Sequence, residues 1–220
     1  MKKLSIIIAA ALALTSCGNA SSVKTSSDDT NSEASVVYFT KEITPESLVK
    51  IYEALGREAE GKVAVKISTG EMGGNNYLKP ELIAPLVKKV GGTIVECNTA
   101  YGGSRAETSV HKETIRAHGF YDVADVDIMD EEGEIKIPVK DDKWIKYDIV
   151  GSHLANYDFM INLAHFKGHA MGGFGGVLKN ASIGVASPNG KVYIHSAGSF
   201  EQATLDGNLH SPDGWYRSPD

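Results

Sequence analysis

The apolar residues of this chain alternate between helical and strand-like spacing from residue 36 onward. Helical spacing follows T-P-E at 44–46, where a capping hydroxyl precedes proline at the first helical position, and it stops before Gly56. Later helical segments stop at Gly91 and Gly119, and glycine commonly follows the end of a helix. The predicted helices are 45–55, 80–90 and 109–118, and the predicted strands are 62–67, 93–97, 126–129, 135–139, 144–150 and 159–164.

This order of elements predicts an α/β fold with an open, mostly parallel sheet and flanking helices. Strand, helix and strand joined by short connections form a parallel pair with a right-handed crossover. We expect 159–164 to be the central strand, because its apolar run suits a strand covered on both faces. The acidic turn D-E-E-G-E predicts a small antiparallel hairpin between 126–129 and 135–139.

One domain over 36–200 is expected, followed by an irregular tail at 201–220. The tail is rich in turn residues and has no apolar period. A domain of this type is expected to close with more helix and strand. The chain is therefore either incomplete at its C-terminus, or its last segment packs against something absent.

The first 16 residues have the pattern of a lipoprotein signal peptide. Two lysines precede an apolar run over 4–14, which is too short to span a bilayer as a permanent helix. L-T-S-C at 14–17 resembles a bacterial lipobox, so we predict that Cys17 is acylated; the alternative is an ordinary signal peptide with a chance cysteine. Residues 17–35 are polar and predict a flexible tether. The protein is expected in the cell envelope, outside the cytoplasm and attached to a membrane through lipid.

Charge and cysteine content exclude several classes of function. The formal net charge is −6, and loss of Lys2 and Lys3 with the leader makes it −8. An acidic protein is a poor candidate for binding nucleic acid, so we predict no such partner. Cys97 is the only cysteine besides Cys17, and two cysteines cannot hold an iron–sulfur cluster. We expect an inert, buried thiol at Cys97.

The candidate site lies in the stretch D-F-M-I-N-L-A-H-F-K-G-H-A-M-G-G-F-G-G-V-L-K-N-A-S-I-G at 158–184. It predicts a strand, a glycine-rich loop and a helix start, an arrangement that presents backbone N–H groups to an anion. The spacing is neither a Walker A loop nor a dinucleotide-binding G-x-G-x-x-G motif. Each glycine loses more backbone entropy on folding than another residue would. A plain turn needs only one or two glycines, so the number found here is better explained by close approach of the backbone to a ligand. The predicted binding glycines are Gly172, Gly173, Gly175 and Gly176.

Basic side chains in and after this loop supply the candidate chemistry. Lys179 would pair with a phosphate or carboxylate, or form a covalent link if its pKa is lowered. His169 would act as a general base, since imidazole titrates near working pH. A solvated lysine and a loop histidine bonded to backbone stay open as alternatives. His165, His169 and His195 are candidate metal ligands; His195 lies in K-V-Y-I-H-S-A, whose alternation suggests a strand.

Two further loops, 68–77 and 98–108, follow predicted parallel strands in the same way as 165–176. In open α/β sheets, ligands bind outside the carboxyl ends of the strands. Arg105 in the second loop is therefore a candidate cofactor-binding residue together with Lys179. The cofactor itself stays unspecified, and a metal ion and a phosphate-bearing compound are both compatible with these residues.

The chain resembles the bacterial family catalogued as domain of unknown function 362 (DUF362) at H-F-K-G-H-A-M-G-G-F-G-G-V-L-K-N. The likeness extends through K-I-S-T-G-E, N-Y-L-K-P-E-L, V-E-C-N-T-A-Y-G-G-S-R and S-H-L-A-N-Y-D-F-M, over roughly 36–198. The resemblance implies a longer protein, because family members usually continue past the point where this chain stops. Many members carry ferredoxin-type cysteine motifs, and this sequence has none, so no iron–sulfur cluster is implied here.

The same motif is more distantly similar to the nickel-dependent lactate racemases. In that family a loop histidine serves acid–base chemistry, a lysine tethers a nickel pincer nucleotide and a later histidine ligates nickel. His169, Lys179 and His195 stand in this order, ten and then sixteen residues apart. Gly175 stands where the family has a loop serine. The family's earlier catalytic histidine corresponds to a position near Ser104 of this chain. The resemblance implies a similar ligand-binding geometry and does not imply racemization.

Two functions of different class are compatible with these residues. The first is an enzyme that acts on a small anionic substrate, cofactor or metal held at the glycine-rich loop. The second is a non-catalytic envelope lipoprotein that captures an anionic ligand with the same loop. Loss of His169 distinguishes them, because catalysis needs a titrating group beside the ligand and binding alone does not. An inactive fragment is a third hypothesis.

Overall fold

A computed structural model of the protein describes residues 5–7, 35–169 and 172–201. The strands are β1 (Ser5–Ile7), β2 (Val63–Lys66), β3 (Thr93–Glu96), β4 (Val126–Ile128), β5 (Glu134–Pro138), β6 (Tyr147–Gly151), β7 (Phe159–Asn162), β8 (Lys167–His169) and β9 (Gly173–Gly175). The helices are α1 (Pro45–Ala54), α2 (Pro80–Val90), α3 (Thr108–Ala117), α4 (Val177–Ala181) and α5 (Pro188–His195).

The main sheet is parallel throughout and has the strand order β1-β7-β2-β3-β4. Helix α2 connects β2 to β3, and α3 connects β3 to β4. Strand β7 lies inside the sheet between β1 and β2, and all of its residues are buried. The predicted α/β class with a mostly parallel sheet is therefore confirmed, and 159–162 is a buried strand; the central position belongs to β2, however, and β7 lies next to the edge strand β1. The strand ends at Asn162, two residues earlier than predicted.

Alternation along the strands sends side chains to two covered faces of the sheet. Val63 and Val65 belong to a buried cluster that includes residues of α1, α2 and α3. Ala64 belongs to a second cluster on the opposite face, which also contains Val150 of β6 and Val185. Lys66 follows Ala64 in the alternation and reaches α4 on this second face. The sheet thus delivers one charged side chain into the interior at the carboxyl end of β2.

The structure contains the small antiparallel hairpin, but the predicted pairing was wrong. Strand β4 pairs in parallel with β3, and β5 pairs with β6 instead. Ile128 and Met129 are fully buried. Burial of apolar surface stabilises a fold, so this segment gains more from the main sheet than from pairing across the acidic turn.

The segment K-V-Y-I-H-S-A at 191–197 begins within a helix, and the strand suggested by its alternation is wrong. The hydroxyl of Ser187 accepts a hydrogen bond from the backbone N–H of Gly190, and Pro188 lies in the first turn of α5. A side-chain cap and an early proline both favour a helix start. These upstream residues determine the local structure of 191–195, which the alternation alone did not reveal.

Strand β1 lies within the predicted signal peptide. The backbone of Ser5–Ile7 pairs in parallel with Phe159, Met160 and Ile161 of β7. Cys17, the rest of the leader, almost all of the predicted tether and the tail beyond residue 201 lie outside the described residues. Among the described residues, no helix has the length and apolar character needed to cross a membrane.

Candidate functional site

A cleft of about 430 Å³ lies at the carboxyl ends of β2, β3 and β7. The three loops that follow these strands all contribute to its wall. Glu71 comes from 68–77, Arg105 from 98–108 and His169 from 165–176. Helices α4 and α5 contribute Lys179 and Lys191. The structure thus places the three predicted loops around one cavity, at the position where open parallel sheets bind ligands.

A buried ion pair forms the floor of the cleft. Lys66 Nζ lies 2.9 Å from Glu96 Oε2, and the two side chains are 1% and 3% exposed. Lys66 also donates to the backbone oxygen of Ile67 at 2.6 Å and to Asn180 Oδ1 at 3.1 Å. An ammonium group has three donors, so each has an acceptor here.

The Glu96 carboxylate is held by donors on both of its oxygens. Oε1 accepts from the backbone N–H of Thr69 at 2.8 Å and from Arg105 Nη1 at 3.3 Å. Burial alone would raise the pKa of Glu96, but the positive charges of Lys66 and Arg105 outweigh it and lower the pKa to about 2. Glu96 is therefore an anchor for the loops around it and stays ionised at neutral pH.

Arg105 lines the cleft, but two glutamates already engage its guanidinium group. Nε and Nη2 lie 2.7 and 2.6 Å from Glu71 Oε1, and Nη1 contacts Glu96. Ser104 Oγ donates to the other oxygen of Glu71 at 3.0 Å. The Glu71 carboxylate therefore ties the loop 68–77 to the loop 98–108. An incoming anion would compete with Glu71 for Arg105, whose part in cofactor binding stays a prediction.

The glycine-rich stretch differs from the predicted open loop because it folds into an antiparallel hairpin. Strands β8 and β9 pair Lys167 with Gly175 and His169 with Gly173. Pairing occupies backbone N–H groups that the predicted anion cradle would have offered. The helix that follows, α4, has only five residues, so its dipole adds little. Side chains around the hairpin therefore have to recognise a ligand.

The glycines of the hairpin also have local structural reasons. Gly173 has a φ of +66°, a conformation that side chains with a Cβ rarely adopt. A Cβ on Gly176 would lie 2.2 Å from the ring of Phe174. Gly175 and Gly176 line the cleft, whereas Gly172 and Gly173 lie exposed at the turn. Of the predicted binding glycines, only the second pair reaches the cavity.

The loop fixes the ring orientation of His169. Its Nδ1 accepts a hydrogen bond from the backbone N–H of Gly172 at 3.1 Å. A ring nitrogen that accepts carries no proton, so the neutral imidazole holds its proton on Nε2. Partial burial lowers the pKa of His169, and the charges of Lys179 and Lys167 lower it further. His169 is thus arranged to donate from Nε2, whereas the predicted general base would need that nitrogen without its proton.

Lys179 lines the cleft, and hydrogen bonds hold the residue that follows it, Asn180, in place. Asn180 Nδ2 donates to the backbone oxygen of Lys66 at 2.9 Å and to Asn162 Oδ1 at 2.7 Å, which fixes α4 to the strands. Partial burial lowers the pKa of Lys179, and the charges of Lys167 and Arg105 add to this effect. Within the described part of the chain, no hydrogen bond or ion pair engages its ammonium group. An external anion would compensate this charge.

His165 and His195 also line the cleft. Nδ1 of His165 is buried without a hydrogen-bond partner in the described part of the chain. Burial lowers the pKa of His195, and the charges of Lys179 and His169 lower it further. The described residues contain no group of three or more His, Cys, Asp or Glu that could hold a metal ion. A metal held by His165, His169 and His195 stays a prediction.

Comparison with known families identifies the domain that contains the cleft. The model of the family named Domain of unknown function (DUF362) matches residues 63–212, which is more than half of the chain. The chain belongs to the DUF362 family. The matched span begins at β2 and includes the residues of the cleft described above. Searches of curated proteins and of solved structures returned no match, and the likeness to lactate racemases stays a prediction.

Several residues of the DUF362 cleft were not among the predicted site residues, and Glu96, Asn180 and Lys191 show why. Glu96 had a detectable pattern, because Lys66 and Glu96 are opposite charges at the ends of two apolar runs that pair in parallel. The role of Asn180 depends on contacts with β2 and β7, which are distant in sequence. Lys191 belongs to the segment whose helix was mistaken for a strand, so its direction was unknown.

Proposed function

We propose that this protein binds a small carboxylate or phosphate in the cleft and acts on it as an enzyme, with Lys179 holding the anion and His169 as a hydrogen-bond donor to the reacting oxygen. The observation that supports the proposal is the half-buried ammonium group of Lys179, which no described residue pairs with. Lys167 lies near enough to lower the pKa of Lys179 further. Two cations that repel each other favour an anionic ligand, which would compensate both charges.

The charge of the cavity is opposite to that of the whole protein. Five lysine and arginine side chains line the cleft against two glutamates, whereas the chain as a whole carries a formal charge of −6. The two glutamates are engaged by Lys66 and Arg105. The excess positive charge is therefore local to the cavity, where it attracts small anions. The acidic remainder of the protein disfavours nucleic acid, and we propose no such partner.

His169 gives the cavity a neutral hydrogen-bond donor. The Nε2–H group is a hydrogen-bond donor, and the surroundings lower the pKa of the imidazole, which keeps the ring neutral. Such a group stabilises negative charge that develops on a bound oxygen. Because Nδ1 accepts from Gly172 and carries no proton, loss of the Nε2 proton would leave an imidazolate; His169 therefore polarises a bound oxygen and does not protonate it.

Replacing Lys179 with Met should weaken binding of the anion by roughly 1.5–3 kcal/mol, or about ten- to 150-fold, because a charged hydrogen bond is lost. Calorimetric titration with inorganic phosphate, a nucleotide and pyruvate measures this loss. The melting temperature should change little, since the Lys179 ammonium group has no hydrogen bond or ion pair with the described residues. Lys50→Met, an exposed lysine of α1, is the matched control. Equal affinities of the wild type and both variants would place the anion site elsewhere.

We also propose that the protein is an exported lipoprotein of the cell envelope. The lipobox at 14–17 and the polar segment after it support this proposal. Strand β1 bears on it, because Ser5–Ile7 lie inside the proposed leader. Cleavage before Cys17 would remove β1 and leave one edge of β7 unpaired, whereas an uncleaved chain retains the strand. The mature N-terminus therefore distinguishes two forms of the sheet.

Replacing Cys17 with Ser should release the protein from the membrane fraction of a bacterial host, because the acylated residue is lost. Fractionation at moderate salt measures the release, and intact mass spectrometry of the wild type should show a chain that begins at an acylated Cys17. Cys97→Ser is the control and should stay with the membrane. A wild-type mass that includes residues 1–16, or a C17S variant that sediments with the membrane as the wild type does, would refute the anchor.

A further inference from the structure

Lys191 is a second buried lysine of the cleft, and it has far fewer partners than Lys66. Its side chain lines the cavity, and the residue is 8% exposed. Nζ donates a hydrogen bond to the backbone oxygen of Ala186. Among the described residues it has no further hydrogen-bond partner and no ion pair. Two of its three donor positions are therefore unmet if the group is an ammonium ion.

The comparison with Lys66 shows what this difference means chemically. Lys66 has a carboxylate and two neutral oxygens as acceptors, which compensate a buried positive charge. Lys191 has one neutral oxygen. A buried charge without a counterion is strongly disfavoured, so the same side chain in this environment favours the uncharged amine. An uncharged amine keeps its lone pair, which is the requirement for nucleophilic attack.

The titratable groups around Lys191 do not remove this effect. Burial lowers the pKa of Lys191 even though the negative charges of Asp130 and Glu96 act against it. Burial raises the pKa of Asp130 itself and raises that of Asp148 to about 6. Neither aspartate forms an ion pair with Lys191 in the described part of the chain. The remaining neighbours, Lys66 and Cys97, supply no counterion.

We infer that Lys191 is a nucleophilic amine and that the substrate is a small carboxylate or phosphate that also carries a ketone or aldehyde group. The anionic part of this inference rests on the proposed function; the carbonyl part rests on the solitary hydrogen bond of Lys191 and its position in the cavity wall. Lys179 and Lys167 would hold the anionic group. The alternative role of Lys191 is structural: its hydrogen bond to the backbone oxygen of Ala186 would fix the segment just before α5.

The reaction at Lys191 would be imine formation. The nitrogen lone pair attacks the carbonyl carbon, and the carbon–oxygen bond then breaks. Both hydrogens of the amine leave with the carbonyl oxygen as water, and a carbon–nitrogen double bond remains. No oxidant or reductant takes part in this step. Borohydride reduces the imine to a stable secondary amine, which makes the covalent product measurable.

The test uses pyruvate and dihydroxyacetone phosphate, each added with borohydride to the purified full chain. Peptide mapping by mass spectrometry should find the reduced adduct on Lys191. Propionate and glycerol phosphate have similar anionic groups without a ketone and should give none. Lys191→Arg keeps a donor for the Ala186 oxygen but cannot form the imine, so its adduct should fall to background. The mapping in the wild type remains decisive even if this variant does not fold.

The outcomes separate this inference from the proposed function. An adduct confined to Lys191 supports both. Calorimetric binding of either ketone without an adduct overturns the inference and leaves anion binding intact. An adduct on Lys179 in place of Lys191 overturns the inference and also the role of Lys179 in holding the anion. Binding of phosphate or a nucleotide with no adduct from either ketone also overturns it. Failure of every anion to bind, with no adduct, overturns both.

Discussion

Replacing Glu96 with Ala should lower the free energy of unfolding by about 3–5 kcal/mol, because removal of one partner leaves a buried charge uncompensated. Lys66 is only 1% exposed, so water compensates little of its charge once the carboxylate is removed. Arg105 and the backbone N–H of Thr69 would lose their acceptor in the same variant. Urea unfolding followed by circular dichroism measures the loss. We expect no other single carboxylate of the cleft to have a comparable effect.

Two control variants test the cause of this loss. Glu53 pairs with Lys89 at 2.7 Å on the surface, with side chains about half exposed, so Glu53→Ala should change stability hardly at all. The double variant Lys66→Met, Glu96→Leu removes both charges and should be more stable than Glu96→Ala alone. The explanation fails if Glu96→Ala is no more damaging than Glu53→Ala, or if the double variant is worse than the single one.

Acidification from about pH 6.5 to about pH 4 should cost stability through His111, by about 3 kcal/mol for a pKa difference of this size. The residue is fully buried, with Nδ1 3.1 Å from Asn98 Oδ1 and Nε2 3.5 Å from Thr69 Oγ1. Burial lowers the pKa of His111 from 6.5 to about 4. The unfolded chain therefore takes up the proton first. The stabilising contribution of the neutral, buried His111 is complete above the pKa of the unfolded state and is lost as the pH falls toward 4.

Asp148 opposes His111 over nearly the same range, so the wild type alone would hide both effects. Burial raises the pKa of Asp148 from 3.8 to about 6, and the folded state therefore takes up this proton first as the pH falls. Unfolding free energies between pH 7 and pH 4.5 should decrease more steeply in Asp148→Asn than in the wild type. In His111→Gln the decrease should be smaller or reversed. Parallel profiles in all three proteins would exclude these two residues as the source.

The sequence was most informative where local pattern and tertiary partner agree. The apolar run at 159–162 is a buried internal strand, and T-P-E at 44–46 starts α1 with Thr44 as its cap. The segment 126–128 shows the limit of this approach. Its strand character was predicted correctly, but nothing in its own residues specifies β3 as the partner instead of β5. Partner choice depends on the whole core, which a local pattern does not contain.

The candidate site divides in the same way. Lys179, His169 and His195 were predicted from their residue types, and the structure places all three in one cleft. The Nε2 proton of His169 was not predictable, because it depends on a hydrogen bond that exists only once the hairpin has formed. Lys191 was missed because its direction follows from the cap of α5. Residue types alone indicated which side chains could do chemistry. The protonation state of His169 and the direction of the Lys191 side chain depend on neighbours that are in place only in the folded chain.

Cys97 gives the cleft a built-in reporter of its own opening. The thiol is 2% exposed, donates to the backbone oxygen of Val185 at 3.2 Å and has a pKa raised to about 12 by burial. Alkylating reagents attack the thiolate, so modification proceeds through molecules in which this region has opened. In a Cys17→Ser background Cys97 is the only thiol of the chain, and whole-protein mass counts each event. A compound that occupies the cleft slows modification in proportion to its occupancy, so unknown ligands can be screened without any assay of the reaction.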